Sequence, residues 1–94
     1  MSTAEFIASV QGAAAALRAA GAREVYVFGS AANGNLREDS DIDLAVSGLP
    51  PEVFFRAMAR ASRAAGRPID LINLDRDNPF TRFLKEEGQL QRVE

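Results

Sequence analysis

Three short apolar segments of strand length alternate with helical segments along this 94-residue chain, and this alternation constrains its fold more than any other feature. The apolar segments are residues 25–28, 42–46 and 69–74, which are rich in β-branched, aromatic and other large apolar side chains. Between and around them, apolar residues recur at the three- and four-residue spacing of a helix. We therefore expect a small mixed α/β fold, with a β-sheet and helices packed on one face of it.

Residues with known capping roles mark the ends of the predicted helices. A capping box of Ser2 and Glu5 begins the first, proline begins the second, and Asn78 precedes the third. The predicted helices cover residues 2–20, 51–66 and 78–88, and a glycine follows or closes each one. The tail after residue 88 could form a short edge strand or fray, and the sequence favours neither.

Composition indicates one soluble domain spanning residues 1–94. The chain is 47% hydrophobic and 26% charged, a globular composition, and its length suits one core. A net charge of −2 gives no field that would attract a nucleic-acid backbone, so we expect no direct nucleic-acid binding. The sequence has neither a signal peptide nor an apolar run of ~20 residues, which favours a cytoplasmic protein without membrane association. A homo-oligomer remains open, because small chains bury a limited fraction of their surface.

The chain contains no cysteine and no histidine, and this restricts its chemistry. Disulfides, thiolate nucleophiles, Ser-His-Asp triads and imidazole-bound metals are all excluded. Carboxylates are therefore the strong metal ligands that the sequence offers.

Asp41 and Asp43 stand at the start of the second predicted strand. Residues two apart on a strand point to the same face, so these two carboxylates share one small space while Ile42, Leu44 and Val46 face the core. An isolated Asp-x-Asp is usually the wet face of an edge strand. Here, the mutual repulsion of the carboxylates would be relieved by a bound cation such as Mg²⁺.

Two further features support a site beside these acids. Asp70 interrupts the apolar third strand, where a carboxylate is costly unless it is paired or binds a metal. Gly29 ends the first strand and permits close backbone approach, although glycine is also common in ordinary turns. Exposed N–H groups of this turn, with the Ser30 hydroxyl, could cradle a phosphate.

Two other phosphate or metal motifs do not match. Gly29 and Gly34 have the spacing of a Walker A loop, but the required Lys and Ser/Thr are replaced by Asn35 and Leu36. An EF-hand beginning at residue 39 fails as well, because its sixth position is leucine and its twelfth is proline.

The pattern Gly29-Ser30, followed about ten residues later by Ser40-Asp41-Ile42-Asp43-Leu44, resembles the signature of DNA polymerase beta-type nucleotidyltransferases. The chain is most similar to the minimal nucleotidyltransferases, which are often the antitoxins of HEPN toxin–antitoxin pairs, and the similarity covers nearly all of it. The resemblance implies a palm-like nucleotidyltransferase fold. It also implies a partner, a HEPN-domain toxin modified on a tyrosine.

By the same resemblance, Asp41, Asp43 and Asp70 would be the catalytic carboxylates and would bind two Mg²⁺ ions. Gly29 and Ser30 would contact the triphosphate of ATP or another nucleotide. The expected reaction is transfer of a nucleoside monophosphate to a hydroxyl of a protein acceptor, with release of pyrophosphate. Asp70 would orient or deprotonate the attacking hydroxyl.

The sequence also departs from the family pattern, in which arginines commonly follow Gly-Ser and precede the second glycine. Ala31 and Asn33 occupy these positions, which removes two cations suited to pairing with phosphate. Arg37 could compensate, although solvated surface charge is its simpler interpretation. The alternative hypothesis is therefore a catalytically weak or inactive module that neutralises a partner by binding alone. A small-molecule nucleotidyltransferase is disfavoured because the chain has no separate substrate domain.

Overall fold

The computed structural model of the chain describes residues 3–29, 41–87 and 90–93. Its elements are α1 (Thr3–Ala19), β1 (Glu24–Phe28), β2 (Ile42–Ser47), a 3₁₀ turn (Pro51–Val53), α2 (Phe54–Ala65), β3 (Ile69–Asn73), α3 (Pro79–Glu86) and β4 (Gln91–Arg92). Ser2, Gly88 and residues 30–40 lie outside the described residues. The predicted alternation of helices and strands is confirmed in the described ranges.

The four strands form one mixed sheet in the order β3-β2-β1-β4. Strand β1 pairs antiparallel with β2 and with the two-residue β4. Strands β2 and β3 pair in parallel, and α2 provides the crossover that parallel neighbours require. The C-terminal tail thus forms the short edge strand that was one of its two expected states.

Helices α1 and α2 cover one face of the sheet. The inward side chains of β2 (Ile42, Leu44 and Val46) are fully buried against them, as the two-residue period predicted. Alanine lies where the helices meet the core, with Ala13, Ala14, Ala57 and Ala61 all fully buried. Small side chains let the helices approach closely, so the alanine clusters serve packing.

Helix α3 packs against the opposite face, whereas the sequence placed the helices on one face. Its Leu84 joins a second apolar cluster with Phe28 and Ala45. Ala45 alternates with the core residues of β2 and therefore points away from α1 and α2. The periodicity of α3 predicted an apolar stripe but could not show which face of the sheet the stripe covers.

Local capping fixes the start of α3. The Asn78 side chain accepts a hydrogen bond from the Thr81 N–H (2.9 Å), and the Thr81 hydroxyl in turn accepts one from the Asn78 N–H (3.1 Å). That hydroxyl also donates to the Arg76 carbonyl at 2.6 Å. The end of α2 is equally well defined, since Gly66 adopts the left-handed conformation that closes helices. Among the described helices, none has the length and apolar character needed to cross a bilayer.

Candidate active site

The parallel pairing of β2 and β3 places two carboxylates side by side. Asp43 and Asp70 are register partners on these neighbouring strands. Both side chains point to the face opposite α1 and α2, because each alternates with core residues of its own strand. Asp43 is half-buried and Asp70 is exposed. The structure therefore brings together two of the three predicted carboxylates at one end of the sheet.

Asp41 lies just before β2 and is exposed. Its negative charge nevertheless acts on Asp43. Burial raises the pKa of Asp43 above its ordinary value, and the negative charges of Asp70 and then Asp41 raise this pKa further. Among the described residues, no basic side chain lowers the pKa of Asp43 in compensation. The negative charge of the site is therefore not offset at Asp43. A bound cation would relieve this repulsion.

Gly29 packs directly against the Asp43 carboxylate. Its φ is +71°, a left-handed conformation in which side chains are strained. A Cβ added here would lie 2.4 Å from Oδ2 of Asp43, which no real Cβ contact tolerates. The sequence predicted that Gly29 permits close approach, and the group that approaches it is the carboxylate. Its predicted contact with a triphosphate stays a prediction, and Ser30 lies outside the described residues.

The donor chemistry of these acids fits a hard divalent cation, since Mg²⁺ prefers carboxylate oxygens. In the ranges that the structure describes, however, no three or more acidic side chains are arranged so that they could hold a metal ion. The register places Asp43 and Asp70 as neighbours, whereas Asp41 lies outside the strand. A metal set that includes all three acids therefore stays a prediction.

Sequence reasoning missed the aromatic wall beside the acids. Phe28 pairs in register with Asp43, and its ring meets that of Phe80 edge-to-face with centroids 6.1 Å apart. Ile72 lies two residues after Asp70 on the same face of β3. The two-residue period of β3 could have predicted that Ile72 lies on the face of Asp70. The position of Phe80, which is 47% exposed, depends on where α3 packs.

Comparison with known proteins identifies the fold. The profile of the family described as "Polymerase beta, Nucleotidyltransferase" matches residues 17–90. A solved structure described as a candidate minimal nucleotidyltransferase is similar over 100% of this chain and 96% of that one, with a TM-score of 0.76 and 25% identity. No curated protein sequence matches this chain.

Two structures of toxin–antitoxin complexes share the fold. One, crystallised with AMP-PNP, has a TM-score of 0.69 and 23% identity over 84% of this chain and 67% of that one. The other is a double aspartate-to-glutamate mutant of the MntA–HpeT pair, with a TM-score of 0.66 and 19% identity over 84% of this chain. This chain spans 66% of that MntA–HpeT chain, about two thirds of its length. Because the family profile covers residues 17–90, well over half of the chain, the protein belongs to the polymerase beta nucleotidyltransferase family.

Proposed function

We propose that this chain transfers AMP from ATP to a hydroxyl of a protein acceptor in the cytoplasm, and that the acceptor is a HEPN-domain toxin for which the chain is the antitoxin. The observation that carries this proposal is the register pair of Asp43 and Asp70, with Gly29 packed against Asp43. The fold shared with a toxin–antitoxin complex crystallised with AMP-PNP supports the nucleotide and the kind of partner.

The two carboxylates have different roles in this reaction. Asp70 is exposed, so its carboxylate can accept the proton of an incoming hydroxyl. The acceptor oxygen then forms a bond to the α-phosphorus of ATP, and the bond from that phosphorus to the pyrophosphate oxygen breaks. Asp43 is half-buried against Gly29, which fixes its carboxylate at the centre of the site.

Asp41, Asp43 and Asp70 would together hold two Mg²⁺ ions, as nucleotidyltransferases of this family usually use divalent metal. Bound Mg²⁺ would offset the negative charge of the phosphates and of the departing pyrophosphate. Burial, and then the negative charges of Asp70 and Asp41, raise the pKa of Asp43, and a cation would relieve the repulsion from these two charges.

Gly29 and Ser30 would contact the triphosphate through the turn that follows β1. Backbone N–H groups at such a turn attract anions without a charged side chain. This mode of binding suits the chain, because Ala31 and Asn33 supply no guanidinium for the phosphates.

The test is incubation of the purified protein with Mg²⁺ and α-labelled ATP, together with the product of the adjacent reading frame. We expect label on that product with the wild-type chain and none above background with Asp43→Asn. Asp77→Asn is a matched control, since Asp77 is an exposed aspartate that pairs with Arg82 and does not contribute to the negative charge acting on Asp43. Undiminished labelling by Asp43→Asn would overturn the proposal.

The second candidate is a binding module that neutralises its partner by occlusion alone. Large exposed apolar side chains favour it, with Phe55 at 75%, Phe83 at 52% and Phe80 at 47% exposure. In that case no label is transferred, and the affinity for the partner is the same with or without Mg²⁺ and in Asp43→Asn.

A further inference from the structure

A groove with a volume of about 350 Å³ lies along the outer edge of β3. Among the described strands, β3 is the last of the sheet on this side and pairs with β2 alone. The start of α2 forms one wall of the groove and the start of α3 forms the other. The groove begins next to Asp70, because Leu71, Ile72 and Asn73 form its floor.

Backbone groups of β3 point into this groove. The Leu74 N–H donates to the Val46 carbonyl of β2 at 2.8 Å, whereas the Ile69 N–H donates to the Ser62 hydroxyl on the other side at 3.1 Å. Backbone groups alternate sides along a strand, so the N–H groups of Leu71 and Asn73 point away from β2. No strand of the described chain pairs with them. Such an edge is a template for an added strand.

Aromatic rings flank this edge on both faces. Phe55 of α2 stands on the face of the helical core and is 75% exposed, and Phe80 of α3 stands on the face of the acids. Arg76 contributes positive charge to the groove, and none of the described residues that line it is acidic. An extended peptide offers backbone groups to the edge and alternating side chains to the two rings.

We propose that the protein acceptor docks by an extended segment that adds to β3 as a further strand and presents its hydroxyl side chain on the face of Asp43 and Asp70. This inference rests on the proposed function, because it names how the acceptor of that reaction is held. Neighbouring strands lie about 4.8 Å apart, and alternate side chains share a face. A side chain of the added strand level with Asp70 therefore stands beside that carboxylate, and Asp43 lies one strand further into the sheet.

Amide hydrogen exchange tests the docking without relying on activity. The exchange of the Leu71 and Asn73 amides is measured in the free protein and in its complex with the product of the adjacent reading frame, without nucleotide. We expect both amides to slow by about tenfold or more on complex formation. The Leu74 amide is the internal control, because it is already bonded to β2. Unchanged exchange of Leu71 and Asn73 in the complex would overturn the inference.

A matched pair of variants on α3 supplies a second readout. Phe80→Ser removes a ring that lines the groove, whereas Phe83→Ser removes a similarly exposed ring of the same helix that does not line it. We expect Phe80→Ser to raise the Kd for the partner by about tenfold and Phe83→Ser to leave it within about twofold. Thermal denaturation checks that both variants are folded. Equal effects of the two substitutions on Kd would contradict the docking.

The outcomes separate this inference from the proposed function. Label transfer without protection of the two amides would leave the enzyme intact and overturn the added strand. Protection by MgATP alone would assign the groove to the nucleotide, and protection that grows with protein concentration would assign it to a second copy of this chain. Either result overturns the inference, as does failure of the co-encoded protein to bind. Protection without label would instead contradict the proposed reaction.

Discussion

Asp43 is the residue on which the electrostatics of the site converge. Its pKa is raised, so the folded protein binds a proton at Asp43 more tightly than the unfolded chain does. The ionised carboxylate therefore destabilises the fold at pH values above its folded pKa, and this cost disappears as the pH falls below the ordinary carboxyl pKa, at about 4.

Asp43→Asn should accordingly stabilise the metal-free protein. Asparagine has the same shape without the charge. We therefore expect the Tm of the variant at pH 7 to exceed that of the wild type, by about 4–8 °C for each kcal/mol of repulsion and burial cost that is removed. The difference should be smaller at about pH 4, close to the ordinary carboxyl pKa, because the cost of the ionised carboxylate fades as Asp43 takes up a proton. Thermal denaturation in EDTA at both pH values measures this, and a lower Tm for the variant at pH 7 would contradict the account.

A second prediction for a single residue concerns Gly29. Gly29→Ala should lower the free energy of unfolding by more than Gly66→Ala does, because both glycines have similar left-handed φ values but only Gly29 contacts Asp43. The shared conformational cost is about 1–2 kcal/mol. Urea denaturation measures both variants. Adding Asp43→Ala to Gly29→Ala should recover part of the difference, and equal costs at the two glycines would refute the contact.

At the scale of elements, the position of Phe80 beside the site depends on the hydrogen bonds that fix the first turn of α3. Thr81→Val keeps the shape of the side chain but removes the hydroxyl that bonds the Asn78 N–H and the Arg76 carbonyl. We expect a loss of about 1–3 kcal/mol in unfolding free energy, since Thr81 is 2% exposed and leaves unpaired polar groups behind.

The comparison for this substitution is Asp77→Asn in the same turn. Asp77 and Arg82 form a two-point ion pair on the surface, with distances of 2.6 and 2.9 Å. Exposed pairs contribute little, so urea denaturation should show a much smaller loss than for Thr81→Val. An equal or larger loss in Asp77→Asn would show that the surface pair anchors the helix.

The elements also show what the sequence could reveal. The alternation in residues 42–46 predicted the buried face of β2, because a half-buried strand imposes a two-residue period. The same parity placed Asp43 away from the core, whereas Asp70 was expected to be costly in an apolar strand and is in fact exposed. The sequence could not predict their pairing in register, because pairing depends on the parallel alignment of β2 and β3 and on the path of α2 between them.

At the scale of the whole molecule, the mixed sheet and the family were both predicted. The side of the sheet that α3 covers was not, since an apolar stripe fits either face until tertiary packing decides. That choice matters for function. By covering the face opposite α1 and α2, α3 places Phe80 against Phe28, the register partner of Asp43.

We propose that the carboxylates on β2 and β3 form a metal-dependent nucleotide site. Titration calorimetry with ATP in the presence and absence of Mg²⁺ tests it directly on the wild type, Asp43→Asn and the control Asp77→Asn. We expect Mg²⁺-dependent binding by the wild type and by Asp77→Asn, and at least about tenfold weaker binding by Asp43→Asn. Equal affinity of Asp43→Asn for MgATP would contradict the account.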